Sequence, residues 1–317
     1  MRKLAGLLSA LMLTANASAE TCKLDRIAAI PAHVTDDDQL LIDAELDDKP
    51  VTFGISTYVT FTALMPSAVK RFGLQSATIH GIRFFYGREL SDVSKIPSLS
   101  FGGVALHDET VPVLPDAADR PDGPAGILAG DLLRQYNLEV DPAGHAVYLY
   151  KPNDCDHPPV YWAKEWFELP LQVGKTVRPL AFITVDGQEL RAVVDTGSTR
   201  SVVTEAAAHT ILGLHDGSPE LQSVGTDLGP DGFSRPKFRH TASTLVLGGV
   251  TFRNIDLDVW PLHPTYFKSQ SHISAYDRLQ PDMFLGMHEL KRFRFYIDYG
   301  AGKMYFTLEP GSSALNG

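Results

Sequence analysis

A single acidic residue, Asp195, stands where the chain could use it for chemistry. The apolar residues 192–194 lead into it, and Thr196, Gly197 and Ser198 follow it directly. This pattern predicts a buried strand that ends at the acid, because a continuous apolar run fits a strand covered on both faces. The turn after it supplies backbone N–H and hydroxyl groups that can hydrogen-bond a carboxylate. We therefore expect a carboxylate held at a strand end inside a polar loop.

The residues around Asp195 carry a resemblance to a known family. An apolar pair, Val202-Val203, follows the turn, and Leu285-Gly286 stands much later in the chain. Together they resemble the active-site loop of the retropepsin-like aspartic proteases, which the pepsins share, and the apolar strand that passes close to it. Such enzymes need two of these loops, whose carboxylates lie about 3 Å apart and share a proton. One carboxylate takes a proton from water, and the other polarises the scissile carbonyl group.

The resemblance implies a role for each residue of the loop. Asp195 would be one catalytic carboxylate, Thr196 would hydrogen-bond across the two lobes, and Gly197 would bring its N–H close to the carboxylates. Ser198 would hydrogen-bond the outer oxygen of Asp195. The residues assigned to substrate binding are Ser198, Gly225 and Gly286. The implied substrate is a peptide or protein, and the implied mechanism uses water and no cofactor or metal.

An internal repeat organises the 317 residues, a length that suggests about two domains. Each half contains a strand pair, a turn, a short helix (residues 66–74 and 204–214), an apolar strand, a second short helix and a hairpin. We expect an all-β fold of two tandem retropepsin-like acid-protease β-barrel lobes, each with short helices. The expected boundaries are residues 1–19 for a signal peptide, 20–150 for the first lobe, 151–164 for a linker and 165–317 for the second lobe.

The first half lacks the matching carboxylate. The best alignment sets Ser56-Thr57-Tyr58 against Asp195-Thr196-Gly197, and shifts of one or two residues supply no acid either. Ser56 and Thr57 therefore form a degenerate first-lobe site. A serine hydroxyl cannot share the proton or carry the charge, and Tyr58 would crowd the place where the family has glycine.

Three arrangements remain open. Two copies of Asp195 could meet in a homodimer about a twofold axis, as in retropepsins. The two lobes could instead pair within one chain, as in pepsins, leaving a single Asp195 in the cleft. A carboxylate from elsewhere could also enter the cleft. The leading function is an exported aspartic endopeptidase that acts through an Asp195-activated water, and the alternative is a catalytically silent peptide-binding pseudoprotease.

The N-terminal residues predict export. Arg2-Lys3, the apolar residues 4–15 and the small residues 17–19 are typical of a secretory signal peptide, so we expect a periplasmic or secreted protein. Cys22 and Cys155 fit one disulfide in an oxidising compartment, the alternative being two unpaired thiols. The net charge of −10 and the scattered basic residues argue against a nucleic-acid partner. No later stretch is long and apolar enough to span a membrane.

Other segments are weaker candidates. Residues 223–233 are rich in glycine and lie where the family has its flap, although they also fit a plain mobile loop. Phe84, Phe85 and Tyr86 occupy the comparable place in the first half and could line a peptide groove or pack in the core. Residues 261–267 form an insertion that fits a binding loop, a dimer contact or an ordinary surface loop. His209 and His288 show no metal-ligand spacing and are expected to be structural.

Overall fold

The computed structural model describes residues 24–79, 84–85, 88–116, 119–120, 122–152, 158–173, 178–215, 217–228, 234–260 and 281–310. At residues 84–85, 88–89 and 227–228 only the backbone is described. The predicted signal peptide, Cys22, Tyr86, Cys155 in the linker, part of the flap candidate and the insertion at 261–267 lie outside the described residues. Among the described helices, none has the length and apolar character needed to cross a membrane.

Strands make up most of the described chain, which confirms the predicted all-β class. Those before the linker, in the first half, are β1 (Arg26–Val34), β2 (Leu40–Leu46), β3 (Lys49–Ile55), β4 (Ala63–Leu64), β5 (Ser76–Thr78), β6 (Phe84–Phe85), β7 (Arg88–Glu89), β8 (Asp92–Phe101), β9 (Val104–Pro112), β10 (Gly126–Leu128), β11 (Asn137–Asp141) and β12 (Ala146–Tyr150). Those after it, in the second half, are β13 (Phe167–Pro170), β14 (Gln172–Val173), β15 (Pro179–Val185), β16 (Gln188–Val194), β17 (Val202–Thr204), β18 (Leu221–Leu228), β19 (Ser234–Leu247), β20 (Val250–Trp260), β21 (Met283–Leu285), β22 (Phe293–Asp298) and β23 (Lys303–Leu308).

The described helices are short: α1 (Pro66–Phe72), α2 (Gly130–Leu133), α3 (Glu205–Thr210) and α4 (Met287–Leu290). All four fall where the repeat predicted helices. Pro66 opens α1, and Gly73 ends it in the left-handed conformation at φ 60°. Thr204 caps α3 by accepting a hydrogen bond from the N–H of Ala207.

The strands form two large sheets. One has 13 strands and follows the order β13-β23-β22-β11-β12-β1-β2-β3-β10-β4, with β5, β8 and β9 attached through β2. The other has eight strands from the second half, in the order β14-β15-β16-β21-β17-β20-β19-β18. In the first sheet β11 pairs with β22, so that Leu138 lies opposite Ile297. Backbone hydrogen bonds therefore join the two halves directly.

Both halves place one loop in the same way. In the first half β3 runs parallel to β10, with Ile55 opposite Leu128, and β10 is also antiparallel to β4. In the second half β16 runs parallel to β21, with Val194 opposite Leu285, and β21 is antiparallel to β17. Residues 192–194 are fully buried in the core. The loops that begin at residues 56 and 195 consequently leave equivalent strand ends.

Candidate active site

Asp195 lies at the end of the buried strand β16, as the apolar approach predicts. Its backbone N–H donates to the carbonyl oxygen of Leu285 at 3.0 Å, which continues the pairing of β16 with β21 for one residue. The residue is 2% exposed. The position of the carboxylate is thus fixed by a strand that is covered on both faces.

Three donors surround the Asp195 carboxylate. The hydroxyl of Ser56 donates to Oδ1 at 3.0 Å, and the N–H of Gly197 donates to the same oxygen at 2.9 Å. The hydroxyl of Ser198 donates to Oδ2 at 2.8 Å. Among the described residues these are the hydrogen-bonding partners of the carboxylate, and none of them is a carboxyl group.

Ser56 occupies the position in the first half that Asp195 holds in the second. Its N–H donates to the carbonyl oxygen of Leu128 at 3.0 Å, as that of Asp195 does to Leu285. Its hydroxyl oxygen accepts from the N–H groups of Tyr58 and Val59 at 3.3 and 3.0 Å. Ser56 and Asp195 therefore follow equivalent strands and make equivalent backbone hydrogen bonds.

The two threonines that follow Ser56 and Asp195 tie the loops together. The hydroxyl of Thr196 donates to the carbonyl oxygen of Ile55 at 2.8 Å, and that of Thr57 donates to the carbonyl oxygen of Val194 at 2.6 Å. Each threonine N–H in turn donates to the hydroxyl of the other, at 3.3 and 3.2 Å. These four buried hydrogen bonds, which we call the threonine clasp, hold the Ser56 and Asp195 loops face to face.

Burial dominates the ionisation of Asp195. Loss of hydration raises the pKa of its carboxyl group above 3.8, although hydrogen bonds from Ser198, Gly197 and Ser56 act in the opposite direction. The positive charge of Arg178 also favours the ionised form. The donors identify this site as one built to hold a carboxylate, since each of them stabilises the charged form.

Glycines allow the close approach of three backbone segments at this loop. A Cβ atom on Gly197 would lie 2.5 Å from Cβ of Ser56, and one on Gly286 would lie 2.4 Å from the carbonyl oxygen of Arg200. The structure thus brings Gly286 against the Asp195 loop. Gly225 lies elsewhere, on β18, at φ 104° beside a register shift, and a Cβ atom there would meet nothing within 4 Å. Among the described residues, Gly225 is not one of the hydrogen-bonding partners of Asp195.

One residue of the site, Arg178, carries no signal in the sequence. Arg178, just before β15, places its guanidinium carbon 4.4 Å from the centre of the Tyr58 ring. The other face of the site is apolar, where the Tyr58 ring meets Phe284 edge-on at 4.8 Å between centroids. Tyr58 therefore does more than replace a glycine, because its ring binds the Arg178 guanidinium group next to the loop of Ser56. A single arginine in the sequence does not predict the contact between Arg178 and Tyr58, because these residues lie far apart in the chain.

His209 and His288, which were singled out in the sequence, both lie on short helices. His288 lies on α4, where its Nδ1 atom is 2.7 Å from Oδ2 of Asp38 in the first half. His209 lies on α3, with its ring 5.0 Å from that of His215. Within the described ranges there is no group of three or more His, Cys, Asp or Glu side chains that could hold a metal ion.

Comparison with curated proteins gives no match. A family model with the description "Aspartyl protease" matches residues 182–288. The matched stretch runs from β15 through the Asp195 loop to Gly286 and the start of α4. It therefore contains the buried carboxylate, two of its donors and the strand that supports it. Residues 182–288 are therefore similar to an aspartic protease family.

Proposed function

We propose that this protein is an aspartic-type peptidase that works with one carboxylate, Asp195. The observation that supports the proposal most strongly is the placement of Asp195, which is buried, held by three donors and paired across the halves with Ser56. A protease function is also supported by the family match of residues 182–288. The substrate would be an extended peptide or a denatured protein.

In the proposed reaction Asp195 acts as a general base toward water. The ionised carboxylate takes a proton from water, the water oxygen bonds to the carbonyl carbon, and the proton later reaches the leaving amine. A second carboxyl group would normally donate to the carbonyl oxygen. Here the Ser56 proton is directed at Asp195, so it is not available to the substrate. We expect turnover to be slower than in a two-carboxylate site, since acid–base groups contribute about 10²- to 10⁴-fold.

The geometry favours a working site within one chain over a homodimer of Asp195 loops. For a second copy of Asp195 to approach, the Ser56 loop would first have to leave. That movement would break the buried Ser56–Asp195 hydrogen bond and the whole threonine clasp. We therefore propose the monomer as the functional form.

A second candidate function is a catalytically silent peptide-binding protein. The observation that favours it is the serine at the position of the second carboxylate. Such a protein would hold a peptide against Asp195 without hydrolysing it. The two candidates share one binding site and differ in the rate of a single step.

The substitution Ser56→Asp tests both candidates. The oxygens of an aspartate can accept the N–H groups of Tyr58 and Val59 that Ser56 now accepts, so the loop should keep its shape. We expect hydrolysis of labelled, denatured casein at acidic pH to rise by about 10²-fold or more, because the pair can then share a proton. A Ser56→Asp, Tyr58→Gly double variant covers the case in which the tyrosine obstructs the new pair.

The wild-type and Asp195→Asn proteins complete the experiment. Wild-type hydrolysis that Asp195→Asn abolishes supports the peptidase. The silent binder is supported if the wild-type protein leaves casein intact and the Ser56→Asp variant cleaves it in a way that depends on Asp195. Neither function survives if no variant cleaves casein and none binds a statine-containing peptide.

We also propose that the protein is exported, on the basis of the charged start, the apolar core and the small residues at 17–19. Cell fractionation with N-terminal sequencing of the exported form tests this. An intact N-terminus on a cytoplasmic protein would contradict the proposal.

A further inference from the structure

The proposed site lacks a donor for the carbonyl oxygen of its substrate, and this inference rests on the proposed function. Attack by water moves the C=O π electrons onto that oxygen, which must then be stabilised by a donor or a positive charge. The Ser56 hydroxyl proton is committed to Oδ1 of Asp195. The Gly197 and Ser198 protons are committed to the same carboxylate.

Arg178 has N–H donors that are not used in hydrogen bonds to the Asp195 carboxylate. Its buried Nε atom has no hydrogen-bond partner among the described residues. Its Nη2 atom is 3.5 Å from the hydroxyl of Thr60, at the limit of a hydrogen bond. A buried N–H on a permanently charged group costs free energy while it stays unpaired, so such a group calls for an explanation.

The guanidinium group is also held over the loop that carries Ser56 and Tyr58. It lies over the ring of Tyr58, and that ring is fixed from its edge by Phe284. Leu180 and Val193 pack in the same cluster, so the tyrosine cannot easily move aside. Ser56, in the same loop as Tyr58, donates to Asp195, and the positive charge of Arg178 favours the ionised form of that carboxylate.

We propose that Arg178 binds the carbonyl oxygen of the peptide bond held at Asp195, and so takes the part of the absent second carboxyl group. Water loses a proton to Asp195 as its oxygen bonds to the carbonyl carbon, and the negative charge on the carbonyl oxygen is met by Arg178, which keeps its protons. When the oxyanion collapses, the C–N bond breaks and the proton passes from Asp195 to the leaving nitrogen. Arg178 is thus a charged hydrogen-bond donor rather than an acid.

Three variants test this role. Arg178→Gln removes the charge, Arg178→Lys keeps the charge without the planar fork of donors, and Arg26→Gln is the matched control. Arg26 is exposed and also places its guanidinium over a tyrosine, at 5.5 Å from the Tyr148 ring, but it has no contact with Asp195. Thermal unfolding of each variant shows whether it is folded.

On labelled casein we expect Arg178→Gln to lower kcat by about 10²-fold while KM changes little, because a donor to the oxyanion acts mainly in the transition state. Arg178→Lys should recover part of the loss, and Arg26→Gln should match the wild type. A folded Arg178→Gln protein with unchanged kcat, or one altered only in KM, would overturn the proposal.

A binding measurement separates failure of this inference from failure of the proposed function. If the wild-type protein does not cleave casein, calorimetry with a statine-containing peptide takes the place of kcat, since its tetrahedral hydroxyl-bearing carbon mimics the intermediate formed when water attacks the carbonyl carbon. Weakening by at least tenfold in Arg178→Gln, with none in Arg26→Gln, upholds the inference although hydrolysis fails. Equal binding by wild type and Arg178→Gln, or no binding by the wild type, overturns the inference.

Discussion

At the scale of single residues, Ser56 preserves the hydrogen-bond geometry of a paired site while changing its proton chemistry. A hydroxyl at 3.0 Å from Oδ1 of Asp195 fills the place of a partner oxygen. Unlike a carboxyl group, it keeps its proton over the whole range of working pH. The pair therefore carries the single charge of Asp195, whereas two carboxyl groups would exchange a proton between them.

The buried charge of Asp195 makes a prediction about stability. Burial raises the pKa of Asp195 in the folded protein above the ordinary value of 3.8. The contribution of this group to stability is consequently fullest below pH 3.8 and is lost as the pH rises through the folded pKa. Asparagine stays neutral and nearly isosteric at every pH. We expect Asp195→Asn to fold, with a melting temperature at pH 7 equal to or above that of the wild type.

Scanning calorimetry between pH 4 and pH 7 measures this difference, which should shrink as the pH falls. Ser198→Ala serves as a control of opposite sign, because it removes a hydrogen bond that favours the ionised form. Its loss of stability should be larger at pH 7 than at pH 4. A melting temperature of Asp195→Asn well below the wild type at pH 7 would contradict the prediction.

At the scale of elements, two parallel strand pairs decide where the loops meet. The pairs β3–β10 and β16–β21 place equivalent strand ends opposite each other. The threonine clasp then holds the two loops together. The clasp hydroxyls donate to the carbonyl groups of Ile55 and Val194, the last residues of β3 and β16. Its strength therefore sets how firmly Ser56 is held against Asp195.

Thr196→Val tests the clasp. The change keeps the shape of the side chain but leaves the carbonyl oxygen of Ile55 and the N–H of Thr57 without the hydroxyl that now pairs them. Because both groups are buried, we expect the free energy of unfolding to fall by about 1–3 kcal/mol. Urea denaturation measures it.

A matched control is Thr241→Val on β19, where an exposed hydroxyl donates to Asp256 at 2.7 Å. Water can replace that bond, so the loss should stay below about 0.5 kcal/mol. If Thr196→Val and Thr241→Val lost the same amount of stability, the threonine clasp would contribute no more than an exposed hydrogen bond.

Sequence patterns predict the elements and much of the Asp195 loop, but not the position of Arg178. Local patterns are enough for the helices, since Pro66 and Gly73 mark the ends of α1, and for the loop itself, since Ser198 lies close to Asp195 in the chain. Ser56 could be aligned with Asp195 because the two halves of the sequence can be compared with each other. Arg178 could not be found, because its place depends on how β15 packs against the Ser56 loop, and no local period encodes that packing.

At the scale of the whole molecule, one ion cluster ties the halves beside the site. Asp38 in the turn between β1 and β2 contacts Nδ1 of His288 and Nζ of Lys291, both in or next to α4. The N–H of Met287, the first residue of α4, donates to the carbonyl oxygen of Ser198 at 2.7 Å. The cluster therefore connects a turn of the first half to the backbone that supports the Asp195 loop.

Asp38→Asn tests this connection. Burial acts to raise the pKa of Asp38, but hydrogen bonds from Lys291 and His288 outweigh it and leave the pKa below 3.8. The ionised form thus stabilises the fold fully above pH 3.8, and this contribution is lost as the pH falls through the lowered value. We expect a loss of about 1–2 kcal/mol near neutral pH, because the partners are partly exposed and screened.

The neighbouring substitution Asp37→Asn is the matched control. Asp37 is exposed and lies 3.4 Å from Arg120, a surface pair expected to contribute little. Asparagine also tolerates the positive φ of 66° at Asp38, so the Asp38→Asn variant adds no backbone strain of its own. Urea denaturation at pH 7 and at pH 3 should show a gap between the two variants that is wide at pH 7 and narrow at pH 3. A gap that is absent at pH 7, or that widens in acid, would show that the charge of Asp38 does not hold the halves together.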